Sequence, residues 1–405
     1  MRTRVGEAHP NLVTMIQPKT QSAVVYANTA DARETGRILG EQVLQKLGSS
    51  PDALIVFVSP KYDAGALLEA LQASCSPQHL VGCSSAGEFT NETVGDGQAC
   101  AIGISSSEVR FASGMARGVS RDRAAAAGSV TASFNGVTDV PHGYSAALVL
   151  TDALAGHADE LIEQLTIVTG GNHQFFGGGA GDDANFRHTQ VFHGSEVASD
   201  AAVALEFLSP KPIGIGVGHG WHPASKPMRV TEARGMLLVS LNAAPAIEAF
   251  KAHADATGQR FDYADPVPFF LHNILGIDTG DGFKLRVPLA VNHDGAIACA
   301  AEVPEGAMVC IMATDAASTR DAAAAATRTA LAQLDGNEPQ VALFFDCVAT
   351  RLRMGREFED ELTAIKQVLG STPFAGCNTY GQVARTDGQF NGFHNCTAVV
   401  CVLPA

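Results

Sequence analysis

At 405 residues, with 46% hydrophobic side chains, 41 glycines and 17% charged residues, the chain has apolar material for two or three cores and argues against disorder. Its 27 basic and 42 acidic residues leave a formal charge of −15 with no basic run, which argues against nucleic acid or an anionic membrane as partner. Apolar stretches such as Ala53–Val58 and Thr397–Leu403 are too short to span a bilayer, and Met1–Thr20 lacks a signal-length apolar segment. Nine scattered cysteines without a C-x-x-C motif predict reduced thiols and a cytoplasmic location.

Strand-like apolar runs alternate with helical patterns, which predicts an α/β fold. The first pass has strands at Ala23–Tyr26, Leu54–Val58 and Leu80–Gly87, helices at Glu34–Leu47 and Gly65–Ala73, and a hairpin partner at Ala99–Ile104. A second pass runs through a strand at Ala146–Leu150, a helix at Asp152–Thr169 and a strand at Gln174–Gly181. Strands Thr189–His193 and Ala201–Leu208 complete it. A third takes Met308–Met312, a helix at Ser318–Leu334, Val341–Cys347, a helix at Glu357–Leu369, Phe374–Gly381 and Thr397–Leu403. The expected architecture is therefore repeated strand–helix–strand–helix–strand–strand units in mixed sheets with glycine-rich strand ends. A composition shift at Ser209–Pro227, with glycine at 214, 216, 218 and 220, divides the chain into two lobes, 20–218 and 219–405.

Each pass contains a glycine loop: Gly82–Glu88, Phe176–Asp182 and Gly376–Gln382. Such loops can cradle phosphates, and Gly179–Ala184 fits G-x-G-x-x-G/A, but Asn185–His193 reads as loop and strand where the motif needs a helix. Sharp turns and close strand approach explain the glycines more simply. Cys83 and Cys377 occupy matching places, whereas the other copy has Gly177, so small size is the shared property. A reactive thiol would need a paired base that the sequence does not identify.

His188 and His193 flank one strand, and His219-Gly220-Trp221-His222-Pro223 contains the only tryptophan. On a strand, residues 219 and 221 share a face and 222 takes the other, so the two imidazoles do not converge on one metal. A single histidine can carry a haem as axial ligand, and the absence of C-x-x-C-H excludes covalent attachment. Arg286 and Arg351 stand at strand ends, where a guanidinium can fork onto a carboxylate of the protein or of a ligand.

Val81–Glu88 followed by Phe176–Asp183 resembles the N-terminal FIST domain, and Gly218–Pro223 with Val230–Gly235 resembles the junction into the C-terminal FIST domain. Leu285-Arg286, Val303–Gly306, Phe345–Cys347 with Arg351, and Phe374–Gly381 are similar to motifs of the latter. The third loop departs from the pattern with Gln382 where many relatives have Glu, and Leu241–Pro245 replaces an expected Asp-Gly turn. The resemblance implies a small-ligand sensor acting as a stand-alone signalling input. Some members, the NosP group, are haem proteins that sense nitric oxide and regulate a partner histidine kinase.

On that reading the ligand contacts are Gly82, Cys83, Gly87, Gly181, Asp182, Trp221, Arg286, Arg351 and Tyr380. Haem b, where bound, would be held by His193, His219 or His222, with His222 as the metal ligand. The competing reading is a cysteine-dependent hydrolase or other enzyme using Cys83, Cys377 or Cys347.

Overall fold

The computed structural model describes residues 19–405 apart from 96, 138–142 and 387–390. Unit one comprises β1 (Thr20–Ala27), α1 (Ala32–Leu47), β2 (Ala53–Val58), α2 (Ala64–Cys75), β3 (His79–Ser84), the hairpin β4 (Glu88–Thr90) and β5 (Val94–Gly95), and β6 (Ala99–Ser106). Unit two follows with β7 (Arg110–Arg117), α3 (Arg123–Thr131), β8 (Tyr144–Thr151), α4 (Ala158–Val168) and β9 (Gln174–Gly179). The hairpin β10 (Val191–His193) and β11 (Glu196–Ala198), and then β12 (Ala201–Ser209), complete it.

Unit three opens with β13 (Gly214–Gly218) and is then interrupted by an inserted lobe. That lobe contains β14 (His222–Pro223), β15 (Met228–Arg234), β16 (Leu237–Leu241), β17 (Ala244–Pro245), α5 (Ala246–Thr257) and α6 (Val267–Phe270). It ends with β18 (Ile274–Asp278), β19 (Phe283–Arg286), β20 (Pro288–Val291), β21 (Ile297–Cys299) and β22 (Met308–Ala313). The unit resumes with α7 (Ala316–Ala332), β23 (Pro339–Cys347), α8 (Val348–Met354), α9 (Phe358–Leu369) and β24 (Phe374–Thr379). A hairpin of β25 (Gln382–Arg385) and β26 (Asn391–His394) leads into β27 (Ala398–Pro404).

The three units share one strand order. Each sheet runs first, fourth, second and third strand of its unit, and is completed by a hairpin lent by another unit. The β10–β11 hairpin joins sheet one, β25–β26 joins sheet two, and β4–β5 joins sheet three, so the exchange closes a cycle. The lobe forms a separate sheet from β14 to β22.

Period-two alternation sends the strands' side chains into two environments. From β2, Ala53, Ile55 and Phe57 enter a central core, which also receives Leu148 and Leu150 of β8 and Leu343 and Phe345 of β23. The intervening Leu54, Val56 and Val58 pack outward against α1 and α2. Strands buried on both faces read as continuous apolar runs, which is why these were the clearest in the sequence. Asp31, Asp63, Asp122 and Asp315 cap α1, α2, α3 and α7 by accepting an amide hydrogen three residues on. Each such cap stabilises its helix by about 1 kcal/mol.

The third repeat differs from expectation in its first strand. Met308–Met312 lies in β22 and pairs with β18 and β15 inside the inserted lobe. The first strand of the unit is instead β13, whose glycines marked the composition shift. A Cβ on Gly214 would lie 1.9 Å from the Ala330 carbonyl oxygen, and one on Gly216 1.7 Å from that of Ala326. The glycines let the strand rest directly on the alanine-rich helix α7. In unit two, β7 and α3 were missing from the expected elements. β7 is an edge strand with mixed exposure, and α3 is alanine-rich without a strong apolar stripe.

Candidate functional site

Register fixes how the glycine loops correspond. Gly82, Gly177 and Gly376 pair with Val56, Val149 and Phe344, and a Cβ on each would lie 2.1, 2.1 and 1.7 Å from that partner's carbonyl oxygen. The equivalent loops are therefore Gly82–Glu88, Gly177–Asp183 and Gly376–Gln382, which moves the second by one residue from its sequence-based position. Gly178, not Gly177, corresponds to Cys83 and Cys377. Both cysteines are fully buried in the central core, where burial raises the Cys377 thiol.

The loops meet at one end of the three sheets and close a ring of backbone bonds. Gly181 N donates to Ser84 O, Ala86 N to Asn378 O and Tyr380 N to Gly179 O, each at 2.9 Å. Gly87 lies against the Arg351 guanidinium, which donates to the Ala86 carbonyl. Asp182 accepts from the Tyr380 hydroxyl and from the amides of Phe186, Arg187 and His188. Burial opposes its charge, but these donors hold the carboxyl below its ordinary range. Tyr380 stacks on Phe186 at 4.4 Å. The structure thus brings Gly87, Gly181, Asp182, Arg351 and Tyr380 together in a packed junction whose donors and acceptors are largely matched within the protein.

Arg286 lies elsewhere, in a cleft of about 750 Å³ between α4 and the inserted lobe. Arg286 is 1% exposed, and its side chain donates to Asp159, to Glu302 O at 2.7 Å and to Phe393 O at 3.1 Å. Lys284 reaches the same Asp159 at 2.5 Å, and Phe393 N donates to it at 2.7 Å. Burial raises the Asp159 carboxyl, but Arg286 and Lys284 outweigh it and keep the group below its usual range. Burial, with Arg286 adding to it, pushes Lys284 down.

Glu302 lines the cleft, and both of its carboxylate oxygens are buried without a hydrogen bond, although His157 Nδ1 lies 3.3 Å from Oε1. Arg385, donating to the His173 carbonyl at 2.7 Å, closes one side. Of this group only Arg286 stood out in the sequence. Asp159, Lys284, Glu302 and Arg385 come from four separate segments without a shared motif.

Trp221 is buried beneath the lobe with the Arg353 guanidinium 5.5 Å from its ring. The three candidate haem ligands sit apart from the cleft. His193 Nε2 bonds Ser113 Oγ at 3.0 Å. His219 Nε2 bonds Phe283 O at 3.0 Å, its Nδ1 accepts from Trp221 N at 3.3 Å, and burial lowers its basicity. His222 is exposed on a two-residue strand. His219 has both ring nitrogens engaged, and none of the three faces the cleft, so these surroundings do not fit a haem. Among the described residues no three His, Cys, Asp or Glu side chains cluster as a metal site, and no helix is long and apolar enough to cross a membrane.

Two uncharacterised proteins of Mycobacterium tuberculosis, from strains CDC 1551 / Oshkosh and ATCC 25618 / H37Rv, are each 25% identical over 401 residues, covering 93% of this chain and 97% of theirs. Among solved structures, a cyanuric acid hydrolase from A. caulinodans matches with TM-score 0.32 and 9% identity over 95% of this chain and 99% of its own. PurL of T. maritima bound to ADP matches at 0.22 and 11% over 95% and 71%. The FIST N domain matches residues 52–244 and the FIST C domain residues 246–385. With both domains present in order, the chain belongs to the FIST family of small-ligand-binding sensory domains.

Proposed function

We propose that the chain is a non-catalytic sensor whose small ligand occupies the cleft between α4 and the inserted lobe. The observation that carries this is the Glu302 carboxylate on the cleft wall, whose two buried oxygens accept no hydrogen bond and have only His157 Nδ1 nearby as an ion-pair partner. An unpaired buried acceptor is costly, so a ligand supplying an ammonium or N–H group gains most there. Lys284 and Arg385 on the same walls suit a second, anionic end. The preferred ligand is therefore small, polar and bifunctional. The cleft joins unit two to the lobe, so occupancy alters how these bodies hold each other, and this is the change offered to a signalling partner.

A thermal-shift screen of small amino- and amide-bearing metabolites tests the reading. A hit should raise the melting temperature of the wild type and lose that effect in Glu302→Ala. Hits that bind Glu302→Ala equally well would refute the site.

Haem-based nitric oxide sensing with a histidine kinase partner is the finer reading that the family suggests. It takes no support from the histidine environments, and an absorption spectrum decides it.

A further inference from the structure

The end of the second strand in each unit carries one polar turn residue. Counting from the paired glycines, Ser59, Asp152 and Cys347 are equivalent. In unit one Ser59 Oγ accepts from Lys61 N at 3.3 Å. In unit two Asp152 accepts from Leu154 N at 3.0 Å, from Asp200 N at 2.7 Å and from the Thr189 hydroxyl. The residue four positions before the fourth-strand partner of Val56, Val149 and Phe344 is also equivalent: Gly97, Asp200 and Cys396, all left-handed, with φ of 74°, 48° and 49°. Unit three thus places a cysteine where unit two holds a carboxylate, and a second cysteine where unit two supplies the amide that binds it.

We infer that Cys347 and Cys396 are a peroxide-reactive thiol pair that closes to a disulfide. The amides of Ala349 and Cys396, equivalents of Leu154 N and Asp200 N, face the Cys347 sulfur together with the Gln382 side chain and the Cys396 thiol. A site built to hold an anion in unit two holds a thiolate here. The Cys396 thiol leads these donors, which outweigh burial and bring Cys347 down to about 6. Cys396, the donor, is pushed up by the same contact. Asp346 and Arg353 are charged or titratable groups that act on the pair, Glu361 in turn interacts with Asp346, and burial raises both carboxyls well above their ordinary values. Antiparallel pairing of Phe345 with Val399 puts the two cysteines on adjacent strand ends, and both border one apolar cluster.

The Cys347 thiolate attacks one oxygen of hydrogen peroxide; the O–O bond breaks, hydroxide leaves and is protonated to water, and a sulfenic acid remains. Cys396, losing its proton, then attacks that sulfur. The S–O bond breaks, a second water leaves, and the S–S bond forms. Two thiols are oxidised by two electrons and one peroxide is reduced to two waters. Trp221, Met312 and Leu285 line the same cluster, so the change is made against the inserted lobe.

The test treats the folded full chain with hydrogen peroxide at neutral pH, alkylates with iodoacetamide and maps peptides without reduction. The expected result is a Cys347–Cys396 linked peptide, reversed by dithiothreitol, with Cys347 reacting about tenfold or more faster than the other seven cysteines. Trp221 fluorescence should change in step. Cys396→Ser should leave Cys347 as a sulfenic acid captured by dimedone. Cys396→Gly, matching Gly97 of unit one, serves if the serine variant does not fold. Cys347 remaining reduced, or reacting no faster than the other thiols in folded protein, would overturn the inference.

Discussion

Arg286, on β19 of the inserted lobe, ends against the carboxylate of Asp159 in the first turn of α4, 127 residues away in the chain. Arg286 holds Oδ2 and Lys284 donates to Oδ1, and Gly392 covers the latter so closely that a Cβ there would lie 2.4 Å from it. Asp159→Asn would strand the Arg286 charge in a dry site. We expect a loss of about 2–4 kcal/mol in urea unfolding, at the lower end for a broken buried pair because Asp159 keeps some exposure. The folded carboxyl titrates below its ordinary value of 3.8, so this stabilisation is present above that value. The gap between wild type and variant should hold at neutral pH and close as pH falls through the folded value. A gap that widened in acid would contradict the assignment.

The paired glycines make a steric prediction. Gly376→Ala sets a methyl 1.7 Å from the Phe344 carbonyl oxygen and should cost at least about 3 kcal/mol or prevent folding. Gly128→Ala, in α3 with nothing within 4 Å of the new carbon, should stabilise by about 0.5–1 kcal/mol. Chemical denaturation of the two variants separates a glycine required by contact from one that is merely tolerated.

Glu361 is 1% exposed on α9, and neither carboxylate oxygen has a hydrogen-bond partner. Burial, reinforced by Asp346, raises its carboxyl well above 4.5. A raised folded pKa favours folding below the unfolded value, and that advantage is lost as pH rises towards the folded one. Glu361→Gln should therefore be more stable than wild type at neutral pH, by an increment of up to about 1.4 kcal/mol per pH unit above 4.5. Melting curves across that range should converge near pH 4.5, and parallel curves would refute it.

Expression with haem supplied should yield protein without a Soret band, because His219 is engaged at both nitrogens and His222 is exposed. A band that shifts with nitric oxide, and disappears on substituting His193, His219 or His222, would instead assign the ligand.

Much of the fold was visible in one dimension because double-sided burial writes itself as apolar runs. Leu54–Val58, Ala146–Leu150 and Val341–Cys347 are the second strands of the three units, and all were legible. β7 and α3 were not, since an edge strand and an alanine-rich helix need little apolar patterning. The site was less legible. Arg286 stood out as a strand-end guanidinium, but its partner Asp159 reads as an ordinary acidic residue in the first turn of a helix.

The amino-acid order by itself determined the α/β class, the threefold recurrence of glycine loops and the family, all of which depend on local periodicity and short motifs. Only the tertiary structure decided that the units exchange hairpins, that unit three is split around a lobe, and that Cys347 stands where Asp152 does. The reason is physical: hairpin exchange and side-chain convergence are pairings between distant segments, and their register is set by packing across sheets rather than by neighbours along the chain.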